Sequence, residues 1–421
     1  MRQGTSNPAQ LSRTDLFAYG LFGLPLALVA LPIYVYVPQF YAEHFGMSLA
    51  AIGSALLAAR LFDAFIDPAF GLWIDRSKGR HGCSYFICLA LAPLAVGFVA
   101  LFHPPAAARA TPFAWFLASL LVVYVGFSLA TIAHQSWAAA LTQARGERAR
   151  LTGVREACGL VGVVIAAALP SVAGIGALSA VFVASLLIGA ALLLQRAPRP
   201  AIVMASGAGG FAALCAPFRN DRFRWLFAVF AVNGIASAIP ATLFLFFAKD
   251  RLQLGQYAGL FLVLYFAAAA ASLPVWVSLS KRRGEARTWL ASMLLAVATF
   301  IWVYFLPAGA AAGFGVVCVL SGVALGADLA LPPALLAGVI AHAGHSGSRE
   351  GAYFGAWSWA TKMNLALAAG IALPLLQKLG YVPGTADAAG NHALRIGYAL
   401  LPCCLKLLAA LLLWRAPLKE L

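Results

Sequence analysis

The sequence predicts an all-α membrane protein of twelve transmembrane helices. Three observations carry that prediction: 62% of the 421 residues are hydrophobic, only 10% are charged, and the apolar residues fall in long runs broken by short polar ones. Soluble chains carry about 25% charged residues. Too few are present here to cover a water-facing surface, so lipid is the expected solvent for most of the chain.

The expected spans are 14–42, 48–74, 83–103, 112–143, 151–174, 176–195, 223–248, 256–280, 286–307, 310–341, 349–379 and 393–414. Each exceeds or approaches the ~20 residues that cross the hydrocarbon core. The first apolar run, Leu16 to Val37, is too long for a signal-peptide core and lacks a small-residue cleavage site, so it is read as a retained helix. The longest polar stretch, Gln195 to Arg222, contains Pro198, Pro200 and several arginines. It divides the chain into a six-helix bundle at 1–195, a cytoplasmic linker at 196–222 and a second six-helix bundle at 223–421. No segment outside the spans is large enough for a separate catalytic domain, and an enzyme is not expected.

The net charge of +15 follows the topology. Basic residues gather in alternate loops: Arg76, Lys78 and Arg80; Arg145, Arg148, Arg150 and Arg155; Arg196 to Arg224; Lys281 to Arg287; and Arg349. The intervening loops hold Arg109, Lys249, Arg251, Lys378 and Arg395. That asymmetry is the positive-inside signal, and it places both termini in the cytoplasm of a bacterial-type inner membrane. It accounts for the basicity without nucleic acid as a partner. The seven cysteines lie in or beside apolar runs without metal-ligand or redox spacing and read as reduced core residues. No cofactor is expected, and no dimer motif stands out, so a monomer in contact with membrane lipid is the expectation.

Four ionisable groups occupy positions that lipid should exclude. A charge at a helix centre costs about 2.5–3.5 kcal/mol on insertion scales, so each needs a partner or a role. Asp63 and Asp67 stand four residues apart before Pro68, which puts both carboxylates on one helical face about a turn apart. Pro68 also deprives the Ala64 carbonyl of its helical donor. Two carboxylates beside a free carbonyl suit a small hard cation or a shared proton; an ion pair with Arg60 or another helix is the structural alternative. Lys362, in Trp357-Ser-Trp359-Ala-Thr-Lys362-Met-Asn364, reads as the one basic group well inside the second half. It is expected to face the two acids across a central cavity, or to clamp Asp328 before the Pro332-Pro333 pair; the sequence leaves both readings open. Polar groups His134, Gln135, Trp137, Asn233, Trp357 and Asn364 are candidates to line a solute cavity, against the plainer reading of interhelical hydrogen bonds. Arg155 beside Glu156 reads as a cytoplasmic gate, with a pair in the solute site as the alternative.

Two stretches resemble known patterns. Gly71-Leu-Trp-Ile-Asp75-Arg76-Ser-Lys78-Gly-Arg80 resembles the signature loop of the major facilitator superfamily, which implies gating roles for Asp75, Arg76, Arg80 and the later Arg148. The run Arg60-Leu-Phe-Asp63-Ala-Phe-Ile-Asp67-Pro68 through Gly82, with Gly146-Glu147-Arg148, Arg349-Glu350-Gly351, Lys362 and Gly380-Tyr381, is similar to the glycoside–pentoside–hexuronide:cation symporters, the group of melibiose permease. The resemblance implies two six-helix bundles around a central cavity. It also implies a coupling-ion site at Asp63 and Asp67 with Lys362 close by, and a small organic solute of the sugar or glycoside class. Two departures qualify it. The first span has no acid after its first turn and Thr131 stands near the acid expected in the fourth; Ile66 stands where a polar Asn is expected. The first departure counts against galactosides, and the second favours H+ over Na+. A lysolipid carrier or exporter of the same fold is the alternative, and a membrane-embedded enzyme on lipid-linked substrates a remote one.

Overall fold

The computed structural model describes residues 11–141, 145–198, 216–345, 350–384 and 388–418. All regular structure among them is helical. The first crossing is made by α1 (Arg13–Gly20) and α2 (Gly23–Phe45), followed by α3 (Leu49–Phe102), α4 (Pro112–Leu141) and α5 (Arg145–Arg196). After the linker come α6 (Asp221–Phe246), α7 (Ala258–Arg283), α8 (Glu285–Val303), α9 (Ala311–His342), α10 (Glu350–Lys378), α11 (Ala388–Arg395) and α12 (Leu401–Arg415). Side chains cap several starts. Ser48 Oγ accepts from the Ala51 N–H at 3.2 Å, and the Asn220 side chain accepts from Arg222 and Phe223.

Eleven stretches among the described residues are long and apolar enough to cross a membrane, where twelve spans were expected. The difference lies in α5, where expected spans 151–174 and 176–195 are one apolar stretch of 47 residues, Arg150–Arg196. At 1.5 Å per residue it is about 70 Å long, more than twice the ~30 Å hydrocarbon thickness. A single residue interrupts it. Gly174 has φ 82° and ψ 174°, a conformation open in practice to glycine alone. Gly82, at φ 67° and ψ 170°, breaks α3 in the same way.

The packing of apolar side chains shows where the two halves join. One buried cluster runs from the first half into Ile239–Leu262, Val303–Cys318 and Ala368–Ala399, the ends of the second-half helices farthest from the linker. A second cluster, with Phe223, Trp276, Trp289, Leu335, Tyr353 and Leu413, belongs to the second half alone and occupies the linker-side ends. Polar contacts reinforce the joined face. Lys249 meets Glu43 at 2.7 Å, the Ala50 N–H donates to Gln377 at 2.8 Å, and the Gly259 N–H donates to Ser171 at 3.1 Å. Beside them Asp250 accepts from the Tyr381 hydroxyl and, at 2.9 Å, from the Gly384 N–H. Burial first, and then the Asp250 carboxylate, push the Tyr381 hydroxyl well above the ordinary phenol range.

Candidate functional site

Helical periodicity on α3 and the crossing of α10 over it create a compact charged cluster. Asp63 is fully buried, and its Oδ1 accepts from the Ser128 hydroxyl of α4. Lys362 Nζ lies 3.0 Å from Asp63 Oδ2, donates to Asp67 Oδ2 and is 3.4 Å from Ser128 Oγ. Arg60, one turn before Asp63, lies 3.6 Å from it and rests over the Tyr124 ring at 4.4 Å. A lysine from the second half therefore bridges two acids of the first. Two carboxylates stand against two cations, so the cluster is formally neutral, which is how buried charge is tolerated in a bilayer. Asp67 Oδ1 is buried without a hydrogen-bond partner among the described residues, as is Thr131 Oγ1, three residues beyond Ser128 on α4. A small cation entering here would compete with the Lys362 ammonium for the same oxygens. Ser128 was not among the residues singled out from sequence; its position three residues before Thr131 was the available signal.

Asp328 is elsewhere. Its Oδ1 accepts from Trp289 Nε1 at 2.7 Å and Asn233 Nδ2 at 3.1 Å, and its Oδ2 from Lys406 Nζ at 2.9 Å. Lys406 also donates to Ser237 Oγ at 2.9 Å. The expectation that Lys362 is the sole basic group deep in the second half is thus corrected: Lys406, on α12, is only 9% exposed. Its sequence setting, Pro402-Cys-Cys-Leu-Lys406-Leu-Leu, lies well inside the last apolar stretch, Gly390–Arg415, so the signal was present in the sequence.

The remaining expected residues do not converge. His134 is 1% exposed and clasps α1: its Nε2 lies 2.9 Å from the Tyr19 carbonyl, and the Tyr19 hydroxyl donates to the His134 carbonyl at 3.1 Å. Gln135 is exposed on the next position. Trp137 is buried and donates to the Pro198 carbonyl at 2.9 Å, tying α4 to the start of the linker. Trp357 stacks on Phe230 with ring centroids 3.7 Å apart. Asn364 fills the notch above Gly234, where an added Cβ would meet its amide group at 1.8 Å. Asn233 alone of the six reaches the Asp328 network. Arg155 pairs with Glu156 at 2.5 Å, while the side chains of Asp75, Arg76, Arg80 and Arg148 lie outside the described residues.

A cavity of about 100 Å³ opens in the second half, bounded by α6, α7, α8, α9 and α12 and, across the interface, by Tyr34 and Val35 of α2. The Asp328–Lys406 pair stands on its wall.

A sequence profile described as MFS/sugar transport protein matches residues 16–420. The chain is similar to the isoprimeverose transporter of Lactiplantibacillus pentosus, at 32% identity over 167 residues, 39% of this chain and 35% of that protein. The match thus spans about a third of that relative's length. It is similar to the glucuronide carrier protein homolog of Escherichia coli (strain K12) over nearly the whole length, at 24% identity, covering 92% of this chain and 88% of the relative. Among solved structures, a mutant form of the nucleoside transporter NupG superposes with a TM-score of 0.75 at 14% identity, covering 96% of this chain and all of that one. At that identity the likeness concerns the fold.

Proposed function

Because the chain belongs to the MFS/sugar transport protein family, within the glycoside–pentoside–hexuronide:cation symporters, we propose that it drives a sugar-type solute across the inner membrane by cation-coupled symport. In this reading α5 contributes two crossings on either side of Gly174, which makes twelve spans in two bundles with both termini cytoplasmic. Alternating access is a rocking of one bundle against the other. The contacts Glu43–Lys249 and Ala50–Gln377 then belong to a closed outer side.

The observation that carries the proposal is the Lys362 bridge from the second bundle to Asp63 and Asp67 in the first. A proton or Na+ at the carboxylates does the work of the ammonium and frees it, so the bundles can separate only when something else neutralises the acids. A ligand with no differential affinity for the two arrangements could shift nothing; competition for the same oxygens supplies that difference. H+ is the favoured ion, because Ile66 adds no oxygen beside Asp67, with Na+ as the alternative. Asp75, Arg76, Arg80, Arg148 and Arg155 are assigned to the inner gate, and Asp328 to the solute-facing part of the second bundle.

The test is uptake in proteoliposomes of glycosides, pentoses, uronic acids and nucleosides under an imposed proton or sodium gradient. Wild type should concentrate one solute class under one gradient. Asp67→Asn should fold and bind lipid as before yet lose uphill accumulation. Intact accumulation by that variant would remove Asp67 from coupling and sink the mechanism.

A further inference from the structure

We infer that Arg251 and Arg395 form an anion site at the end of the second bundle farthest from the linker, and that it takes the phosphate group of an anionic phospholipid headgroup. The site is separate from transport and holds whichever solute and cation are carried. Five basic residues lie on the loops that the positive-inside pattern leaves nearly empty: Arg109, Lys249, Arg251, Lys378 and Arg395. Lys249 has Glu43, and Arg109 and Lys378 are exposed. Arg251 is different. It is only 7% exposed, and neither it nor the half-buried Arg395 forms an ion pair with a carboxylate among the described residues.

Local structure brings the two guanidinium groups together. Arg251 closes the π-helical turn Phe247–Arg251 at the end of α6, and Arg395 closes α11 just before a second such turn, Ile396–Leu400. Turns of this kind are rare and recur at functional sites. Phe247 stacks on Tyr398, with ring centroids 4.2 Å apart and planes 6° from parallel, which holds the two turns side by side. Arg395 lies within electrostatic reach of Arg251. Both also meet the segment between α8 and α9. Arg251 Nη2 donates to the Leu306 carbonyl at 2.8 Å, and the Arg395 guanidinium lies 5.7 Å from the centre of the Tyr304 ring. The adjacent acid is engaged elsewhere, since Asp250 accepts from Tyr381 and Gly384.

A guanidinium offers five N–H donors in a fixed fork. Arg251 spends one on Leu306, and the Nε of both Arg251 and Arg395 is buried without a hydrogen-bond partner among the described residues. Two like charges side by side repel, and a buried charge without a counter-ion is costly. An anion between them relieves both, and phosphate oxygens match the guanidinium fork. The surroundings point to lipid as its source. Trp302 and Phe305, which flank Tyr304, are 43% and 71% exposed, and aromatic side chains of this kind sit at headgroup level, where the phosphates of a bilayer lie. Leu294 and Ile301, about two turns apart on one face of α8, are also exposed and give an acyl chain an apolar track. A phosphate held here ties the ends of α6 and α11 to the α8–α9 segment, so its binding stabilises the folded protein.

The experiment is native mass spectrometry of the purified full-length protein in detergent, titrated with dioleoylphosphatidylglycerol, dioleoylphosphatidylcholine or inorganic phosphate. The midpoint of thermal unfolding is read on the same samples. The variants are Arg251→Gln, Arg395→Gln, Arg109→Gln as a control, and Asp387→Asn, because Asp387 lies outside the described residues. Phosphatidylglycerol should bind wild type at least about tenfold tighter than phosphatidylcholine and raise its midpoint. Loss of a hydrogen bond to a charged group corresponds to about a ten- to hundredfold rise in Kd, which is expected for both arginine variants at the site, while Arg109→Gln binds as wild type does. Arg395→Gln breaks no hydrogen bond to a described residue, so it decides the matter if Arg251→Gln fails to fold. Arginine-dependent binding of inorganic phosphate without binding of phosphatidylglycerol would keep the anion site and overturn lipid as its source. Binding of neither to wild type, an unchanged Kd in both site variants, no preference for phosphatidylglycerol over phosphatidylcholine, or binding gained only in Asp387→Asn would overturn the assignment.

Discussion

Replacing Lys362 by methionine tests the central cluster most sharply, because it keeps an unbranched side chain only one atom shorter and deletes one charge. At an effective dielectric of ~20, the 3.0 Å contact with Asp63 corresponds to about 5–6 kcal/mol of attraction and the 3.6 Å contact of Arg60 with Asp63 to about 4–5 kcal/mol. Asp63 keeps Arg60 when Lys362 is removed; Asp67 keeps no cation that the structure places beside it. Breaking a buried pair by deleting one member typically costs about 3–5 kcal/mol, because the other charge stays behind. Lys362→Met should therefore lower stability by about that amount at neutral pH, read as the midpoint of thermal unfolding in detergent. The double variant Lys362→Met/Asp67→Asn should regain at least half of the loss, since the stranded carboxylate is gone. Acidification, or Na+ if that is the coupling ion, should narrow the deficit of the single variant while leaving wild type little changed, because a cation at Asp67 replaces the missing ammonium. A single variant as stable as wild type, or a double variant no better than the single, would refute the account of Lys362 as the counter-ion of both acids.

Other consequences are smaller but as specific. Glu43→Gln removes a half-exposed ion pair worth at most about 1 kcal/mol, so stability should barely move; alkylation of a cysteine placed at Gln377 should rise as the joined face opens more often, and unchanged labelling would deny the pair a latching role. Tyr381→Phe should cost about 1.5–3 kcal/mol, the range for a hydrogen bond to a charged group. The Tyr381 hydroxyl is held above its ordinary value, so its contribution should be constant from pH 6 to 9 and fade only as pH rises beyond about 10; a slope across pH 6–9 in the wild-type-minus-variant difference would contradict that. Gly234→Ala drives a methyl into the Asn364 amide and should cost about 1–3 kcal/mol, as overpacking does. Combining it with Asn364→Ala should restore much of the loss, and no rescue in the unfolding midpoint would argue against that contact.

Much of this protein could be read from the chain without coordinates. Hydrophobic run length alone marks the crossings, because the bilayer imposes one thickness on every span, and the spacing of Asp63 and Asp67 places them on one face because a helix turns every 3.6 residues. In α5 run length by itself counts one stretch where two spans were expected, and the break at Gly174 falls at their expected boundary without a polar loop to mark it. Which charge meets which is a different matter. Lys362 had two possible partners in sequence, and the crossing of α10 over α3 sends it to Asp63 and Asp67, while Asp328 finds Lys406 on α12. Ser128, Trp289 and Ser237 join these groups through lateral contacts between helices far apart in the chain. Such contacts leave no periodic trace, because lipid is as apolar as the helix faces and hydrophobicity cannot tell a helix which neighbour to choose. Composition and periodicity thus settle that the chain spans the membrane and carries charge inside it; the packing of small residues and the pairing of buried ions settle where those charges go.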